Sequence, residues 1–101
     1  MNISDRIQFK EKGASVLKIQ QSDRTKIIAI ALKANEILKK HKANIPSFLV
    51  VLKGQIQFEL PDSSIHLNEH DTFNIPVSIE HEVIALEDSI FMLVQELELG
   101  R

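Results

Sequence analysis

The chain has no cysteine, no tryptophan and no tyrosine among its 101 residues. Without cysteine it can form no disulfide, no zinc knuckle and no thiol nucleophile. Long apolar runs are also missing, since "IIAIAL" and "FLVVL" are far shorter than the roughly 20 residues that span a bilayer. The first ten residues, "MNISDRIQFK", carry charges where a signal peptide would need an apolar stretch. We therefore expect a cytoplasmic protein without a membrane partner.

Neither sign of charge predominates in the chain. The formal net charge is -2, and acidic and basic residues are mixed along the chain. Nucleic acids select a basic patch, so we expect no nucleic-acid partner. The one basic cluster, Lys39, Lys40 and Lys42, is short and has no aromatic neighbour, and we interpret it as a solvated loop. What the chain does contain is 44% hydrophobic residues, enough to bury the core of one domain.

Apolar residues recur with a period close to two, which is typical of half-buried strands. In "QIQFEL" the apolar residues Ile56, Phe58 and Leu60 share one face. Turn residues such as Gly54 and Pro76 separate these runs at short intervals. Many short strands with regular turns indicate an all-β sandwich or barrel. We predict strands near residues 6–10, 15–20, 24–33, 46–53, 55–60, 64–67, 71–75, 80–87 and 89–98, with a helix over 33–40 as an alternative for that segment.

Three passages resemble the small single-domain cupins, which are double-stranded β-helix barrels of the jelly-roll type. "KKHKANIPSFLVVLKGQIQFEL" resembles the first cupin motif, with a histidine, an apolar strand, a glycine and a hairpin return. "IHLNEHDTFNIPVSIEHEVIALED" resembles the second, in which a histidine follows a proline by five residues, and "HEVIALEDSIFMLV" resembles the end of such domains. The resemblance implies one cupin-type, RmlC-like jelly-roll barrel over residues 1–101. Residues 26–98 would form the barrel, and residues 1–25 would form N-terminal strands.

The metal-binding motif of the family is incomplete in this chain. A metal-binding cupin has two histidines one residue apart, then a glutamate, then a glycine, and a further histidine in the second motif. Here His41 and His81 match two of these histidines, but Ala43 stands for the other histidine and Ser47 for the glutamate. Metal sites usually need three or four protein ligands, so two histidines supply half a site. His41 and His81 are the candidate ligands for a weakly bound divalent transition metal.

Three functions therefore remain open. The first is a binding module that holds a small molecule in the barrel, with His41, His81, Ser47 and Asn44 as its polar contacts. The second is a metal-dependent cupin enzyme, an oxygenase or isomerase, whose incomplete site is completed by water or substrate. The third is a structural or oligomerisation module. The fold alone does not choose among these functions, because cupins carry out many reactions, and no catalytic residue is assigned.

Several further expectations concern packing. His66 alternates with apolar neighbours and His70 lies in a turn, so both are expected on the surface. His41 and His81 are expected on neighbouring strands at one end of the barrel. We also expect a homodimer, formed through the N-terminal segments "DRIQFK" and "SVLKIQ". The residues expected in the core are Leu49, Val51, Phe58, Phe73, Val83 and Leu93.

Overall fold

The computed structural model describes residues 1–41 and 44–97, without the side chains of residues 40 and 41. One short helix is followed by nine strands in that part of the chain. The elements are α1 (Ile3–Arg6), β1 (Ser15–Gln21), β2 (Thr25–Leu32), β3 (Ile37–His41), β4 (Ser47–Lys53), β5 (Gln55–Glu59), β6 (Ser64–Asn68), β7 (Thr72–Ile75), β8 (His81–Ala85) and β9 (Ser89–Glu96). No helix of the described residues is long and apolar enough to cross a membrane.

The strands form two antiparallel sheets that face each other. The five-stranded sheet has the order β1-β2-β9-β4-β7, and the four-stranded sheet has the order β3-β8-β5-β6. Sequence neighbours β3 and β4 lie in different sheets, and so do β7 and β8, so the chain passes repeatedly from one sheet to the other. Such crossovers are typical of a jelly roll. The prediction of an all-β jelly-roll barrel is confirmed.

The core lies between the sheets, on the faces that alternation predicted. Leu49, Val51, Phe58 and Val83 are fully buried or nearly so, Leu93 is buried, and Phe73 is partly buried against them. The register explains this layering, because directly opposed residues of antiparallel strands share one face. The prediction of these six core residues is therefore confirmed, with Phe73 at the margin of the core.

The N-terminal segment differs from the prediction. Residues 6–10 were expected to form a strand, but Ile3–Arg6 form helix α1, which Asn2 caps by accepting a 3.3 Å hydrogen bond from the Asp5 amide. The alternation of Ile7 and Phe9 indicates that one face of an extended segment is buried. An extended segment can bury one face without pairing with another strand. Ile7 packs against the outer face of the five-stranded sheet, together with the buried residues Ala29, Ala31 and Ile90.

A second difference lies between β2 and β4. A helix over residues 33–40 was an alternative, but Ile37–His41 form strand β3, which pairs with β8. The helix propensity of these residues favoured the helix. As strand β3, however, the segment pairs with β8 at the edge of the four-stranded sheet, and Leu38 packs against the core. The remaining strand boundaries agree with the prediction to within about two residues, including the end of β9 at Glu96.

Candidate functional site

His81 is a buried polar side chain that is held in place by contacts at its end of the barrel. It begins β8 with 3% of its surface exposed, on the inward phase that continues with Val83. Its Nδ1 donates a 3.1 Å hydrogen bond to the Ile79 carbonyl, and its ring stacks on Phe58 with 5.0 Å between centroids and 22° between planes. A carbonyl oxygen only accepts, so Nδ1 carries a proton in this contact.

His41 lies on the neighbouring strand, as expected. It ends β3, and the register of β3 and β8 places its Cα opposite that of His81. The side chain of His41 lies outside the described residues, so the convergence of the two imidazoles stays a prediction. Ala43 also lies outside the described residues.

Ser47 and Asn44, the other predicted contacts, differ in their surroundings. Ser47 begins β4 with 7% of its surface exposed, and its hydroxyl donates a 3.4 Å hydrogen bond to the Ile45 carbonyl. It lines a groove of about 140 Å³ beside Phe48 and Asn74, which is separate from the pocket that His81 lines. Asn44 is exposed. Their assignment as ligand contacts stays a prediction.

A pocket of about 320 Å³ opens beside His81, where β5 ends and β8 begins. We call it the His81 pocket. Its acidic residues are Glu59 and Glu82, which are directly opposed across β5 and β8, and Glu80. Glu59 also accepts a 3.0 Å hydrogen bond from the Ser64 hydroxyl. The complete lining is Glu59, Leu60, Pro61, Glu80, His81 and Glu82.

Sequence reasoning missed the glutamates. Glu82 alternates with His81 and Val83 and lies on the other face of β8, so alternation gives no sign that it shares a site with the histidine. The pocket lies at the end of the strands, however, where side chains of both faces reach the same space. Glu59 was missed because its approach to Glu82 depends on the pairing of β5 with β8, which are separated by more than twenty residues. No local sequence signal reports that pairing.

A polar row on the opposite sheet was also missed. Lys26 is opposite Gln95, and Gln95 is opposite Ser47, across three neighbouring strands. All three share the inward phase of their strands, one step beyond the apolar row that contains Leu93 and Leu49. The signal was present in "SIFMLVQE", where Gln95 interrupts the inward series after Phe91 and Leu93. On the five-stranded sheet, the interior of the barrel is therefore apolar as far as the row of Leu93 and Leu49 and becomes polar at the row of Lys26, Gln95 and Ser47.

The donor set of the described side chains does not fit a tightly held metal. Among the described side chains, no group of three or more histidine, cysteine, aspartate or glutamate residues is arranged to bind a metal ion. The hydrogen bond from His81 Nδ1 to a backbone carbonyl is one that metal-bound histidines often make, since it orients Nε2. Orientation does not replace the missing donors, however, because Ala43 has none and a neutral serine is a poor ligand.

The other two histidines are on the surface, as predicted. His66 lies on the exposed face of β6, and its Nε2 donates a 2.8 Å hydrogen bond to Gln55 Oε1. His70 has a φ of 76° in the turn before β7, and its side chain is exposed 3.6 Å from the Glu69 carboxylate. Neither contributes to the His81 pocket.

The fold is similar to that of solved cupin structures. An RmlC-like cupin protein from Desulfovibrio desulfuricans superposes with a TM-score of 0.86 at 23% identity, covering 95% of this chain and 93% of that one. A cupin superfamily protein from Desulfitobacterium hafniense gives a TM-score of 0.86 at 16% identity, with coverages of 97% and 90%. A conserved protein of unknown function from Streptococcus pyogenes gives 0.85 at 15% identity, with coverages of 99% and 88%. The chain therefore has the small cupin fold that its motifs resemble.

Comparison of the sequence with family models and with curated proteins finds no relative. No protein-family model matches the chain, and no curated protein matches it significantly. The structural neighbours share less than a quarter of their residues with this chain and therefore inform its fold alone.

Proposed function

We propose that this cupin-fold protein binds a small organic molecule in the His81 pocket. The observation that carries the proposal is a pocket of about 320 Å³ against a histidine whose ring is fixed by Phe58 and by the Ile79 carbonyl. Small-molecule sites have volumes of roughly 300–1,000 Å³ and combine apolar walls with a few oriented polar groups. The imidazole of His81, oriented by its ring stacking and its backbone hydrogen bond, is such a group.

The lining also suggests which chemistry the ligand has. Ionised carboxylates only accept hydrogen bonds, so Glu59 and Glu82 favour a ligand that presents hydroxyl or ammonium groups. Leu60 and Pro61 provide an apolar wall for its carbon skeleton. A ligand with a carboxylate of its own would meet like charge and bind less well. We propose a cytoplasmic location and a homodimeric state as the setting for this activity.

Three probes with the same six-membered ring test the proposal. Cyclohexylamine, cyclohexanol and cyclohexanecarboxylate differ only in the polar group, and each can be titrated against ¹⁵N-labelled protein by NMR. We expect the amine and the alcohol to shift the backbone amides of Leu60, His81 and Glu82, and the carboxylate to bind more weakly. The amides of Gly54 and Ser89, at the other end of the barrel, should not move. If none of the three probes shifts the pocket amides, the proposed binding of hydroxyl or ammonium ligands in this pocket is contradicted.

A matched pair of charge variants assigns the binding to the pocket. Glu82→Gln removes a carboxylate of the pocket and should weaken cyclohexylamine binding by several-fold. Glu69→Gln removes the same charge from an exposed turn outside the pocket and should leave binding unchanged. Equal affinities for the two variants would contradict the proposed role of the glutamates.

A further inference from the structure

Three polar side chains stand next to each other on the inner face of the five-stranded sheet, in the row nearest the strand ends. Lys26 is opposite Gln95, and Gln95 is opposite Ser47 on the next strand. We call these three residues the inner polar row. None of them lines the His81 pocket, so the binding proposed there gives this row no role.

The inner polar row is partly accessible to solvent and lies directly beside the core. Ser47 is buried, with 7% of its surface exposed, whereas Lys26 and Gln95 are half-buried. The next row inward is apolar, since Ile28 is opposite Leu93 and both pack in or against the core cluster. Polar and apolar groups are thus adjacent here, in the combination that small-molecule sites use.

Lys26 brings a positive charge to this row, and no described side chain neutralises it. Its ammonium group forms no ion pair with a carboxylate of the described residues. Glu96 follows Gln95 in the chain but belongs to the other face of β9. There it is opposite Thr25 and lines a cleft with Arg24. Because an ammonium group loses hydration when it is buried, and an anionic partner offsets that cost, the surroundings of Lys26 favour an anion.

Gln95 and Ser47 add uncharged hydrogen-bond donors beside the ammonium group. The Cβ atoms of directly opposed residues are about 4.5–5.5 Å apart, so a single oxygen-bearing group can reach the side chains of two neighbours in the row. The Ser47 hydroxyl makes a hydrogen bond of 3.4 Å to the Ile45 carbonyl. That distance is longer than the roughly 2.5–3.0 Å usual for a hydroxyl donor, so the hydroxyl is weakly held and can turn to a ligand.

We propose that the inner polar row binds the carboxylate group of a small aliphatic acid. One carboxylate oxygen accepts a hydrogen bond from the Lys26 ammonium, and the other accepts one from the Gln95 amide or the Ser47 hydroxyl. The aliphatic part of the acid packs on Ile28 and Leu93. A single negative charge matches the single ammonium, which favours a carboxylate over a doubly charged phosphate. The glutamates of the His81 pocket repel such a ligand, so the two sites select opposite charges.

Titration of the ¹⁵N-labelled full chain with isobutyrate, isobutyramide and inorganic phosphate tests this site by NMR. Isobutyrate should shift the backbone amides of Lys26, Ser47 and Gln95 and leave those of Leu60 and Glu82 in place. Isobutyramide has the same shape without the charge and should bind about tenfold more weakly or less. Equal binding of these two probes, or no shift of the three amides with isobutyrate, would overturn the proposal. Tighter binding of phosphate than of isobutyrate at the row would overturn the assignment of a carboxylate.

Charge variants then assign the binding to Lys26. Lys26→Met keeps the length of the side chain, removes its charge and should weaken isobutyrate binding by about tenfold or more. Lys12→Met, the matched control, removes the same charge from an exposed position before β1 and should leave binding unchanged. Equal affinities would show that the stem of Lys26 only covers the edge of the core, which overturns the proposal.

Gln95→Glu gives a second test that does not depend on the folding of Lys26→Met. It places a carboxylate opposite Lys26, where it pairs with the ammonium group and competes with the ligand. Isobutyrate should then no longer shift the amides of the inner polar row, although the ¹⁵N spectrum remains that of a folded protein. Binding as tight as that of the wild type would overturn the proposal.

Discussion

Phe58 links the core to the candidate site at the scale of single residues. It is fully buried, stacks on His81, and contacts Phe73 with ring centroids 4.9 Å apart. Phe58→Ala should destabilise the protein by roughly 3–5 kcal/mol, because it leaves a cavity in a packed core. Urea denaturation measures this loss. The control Leu86→Ala, at an exposed position, should cost less than about 1 kcal/mol, and a similarly small loss for Phe58→Ala would contradict its placement.

Metal content is the second prediction at this scale. Protein dialysed without chelator should hold no stoichiometric iron, manganese, nickel, copper or zinc, because the described donors form no group of three. Elemental analysis of the dialysed protein provides the measurement. Retention of about one equivalent of metal that is lost in His81→Ala would show instead that His81 belongs to a complete metal site.

At the residue scale the sequence located His81 but not its surroundings. The five-residue step from Pro76 to His81 is a local pattern, and the alternation with Val83 fixed the inward phase. The contact of His81 with Phe58 and the approach of Glu59 to Glu82 join strands that are distant in sequence. Such contacts follow from sheet order, which alternation does not contain.

At the scale of elements, the β4–β5 hairpin depends on one glycine. Gly54 has a φ of +81°, and a Cβ there would overlap the Ser89 hydroxyl and lie 2.5 Å from the Asp88 carbonyl oxygen. The Ser89 hydroxyl is itself needed, because it accepts a 3.1 Å hydrogen bond from the Gln55 amide and lies 2.7 Å from the Glu87 carbonyl oxygen. The turn is thus held against the beginning of β9.

Two glycine substitutions separate steric overlap from backbone strain. Gly54→Ala adds a Cβ in contact with backbone atoms and should cost more than about 2 kcal/mol. Gly13→Ala meets nothing within 4 Å at a similar φ of +75°, so only the left-handed conformation opposes it, at about 1–2 kcal/mol. Thermal or urea unfolding gives both values. A smaller loss for Gly54→Ala than for Gly13→Ala would show that the hairpin is not packed on Ser89.

Element prediction succeeded where alternation and pairing agree. Strands β4 and β5 have one apolar face, end at clear turns and were predicted closely. The N-terminal segment has the same alternation. Its apolar side chains pack on the outer face of the five-stranded sheet, but its backbone does not pair with a neighbouring strand. Periodicity identifies a buried face and does not identify what buries it.

At the scale of the whole molecule, the N-terminus acts as part of the fold. Ile7 is buried on the five-stranded sheet and covers Ala29, Ala31 and Ile90. Deleting residues 1–10 should therefore lower the free energy of unfolding by at least about 2 kcal/mol, the value of one buried isoleucine. Ile7→Ala should give a large part of that loss, whereas Gln8→Ala, at an exposed position, should give little. An unchanged stability of the truncated chain would contradict this packing.

The central claim is that the protein holds a small molecule beside His81. A crystal structure with cyclohexylamine bound is the most direct test. We predict density for the ring against Leu60 and Pro61, with the ammonium group within hydrogen-bonding distance of Glu59 or Glu82. Density at another place on the barrel, with the His81 pocket containing only solvent, would contradict the account.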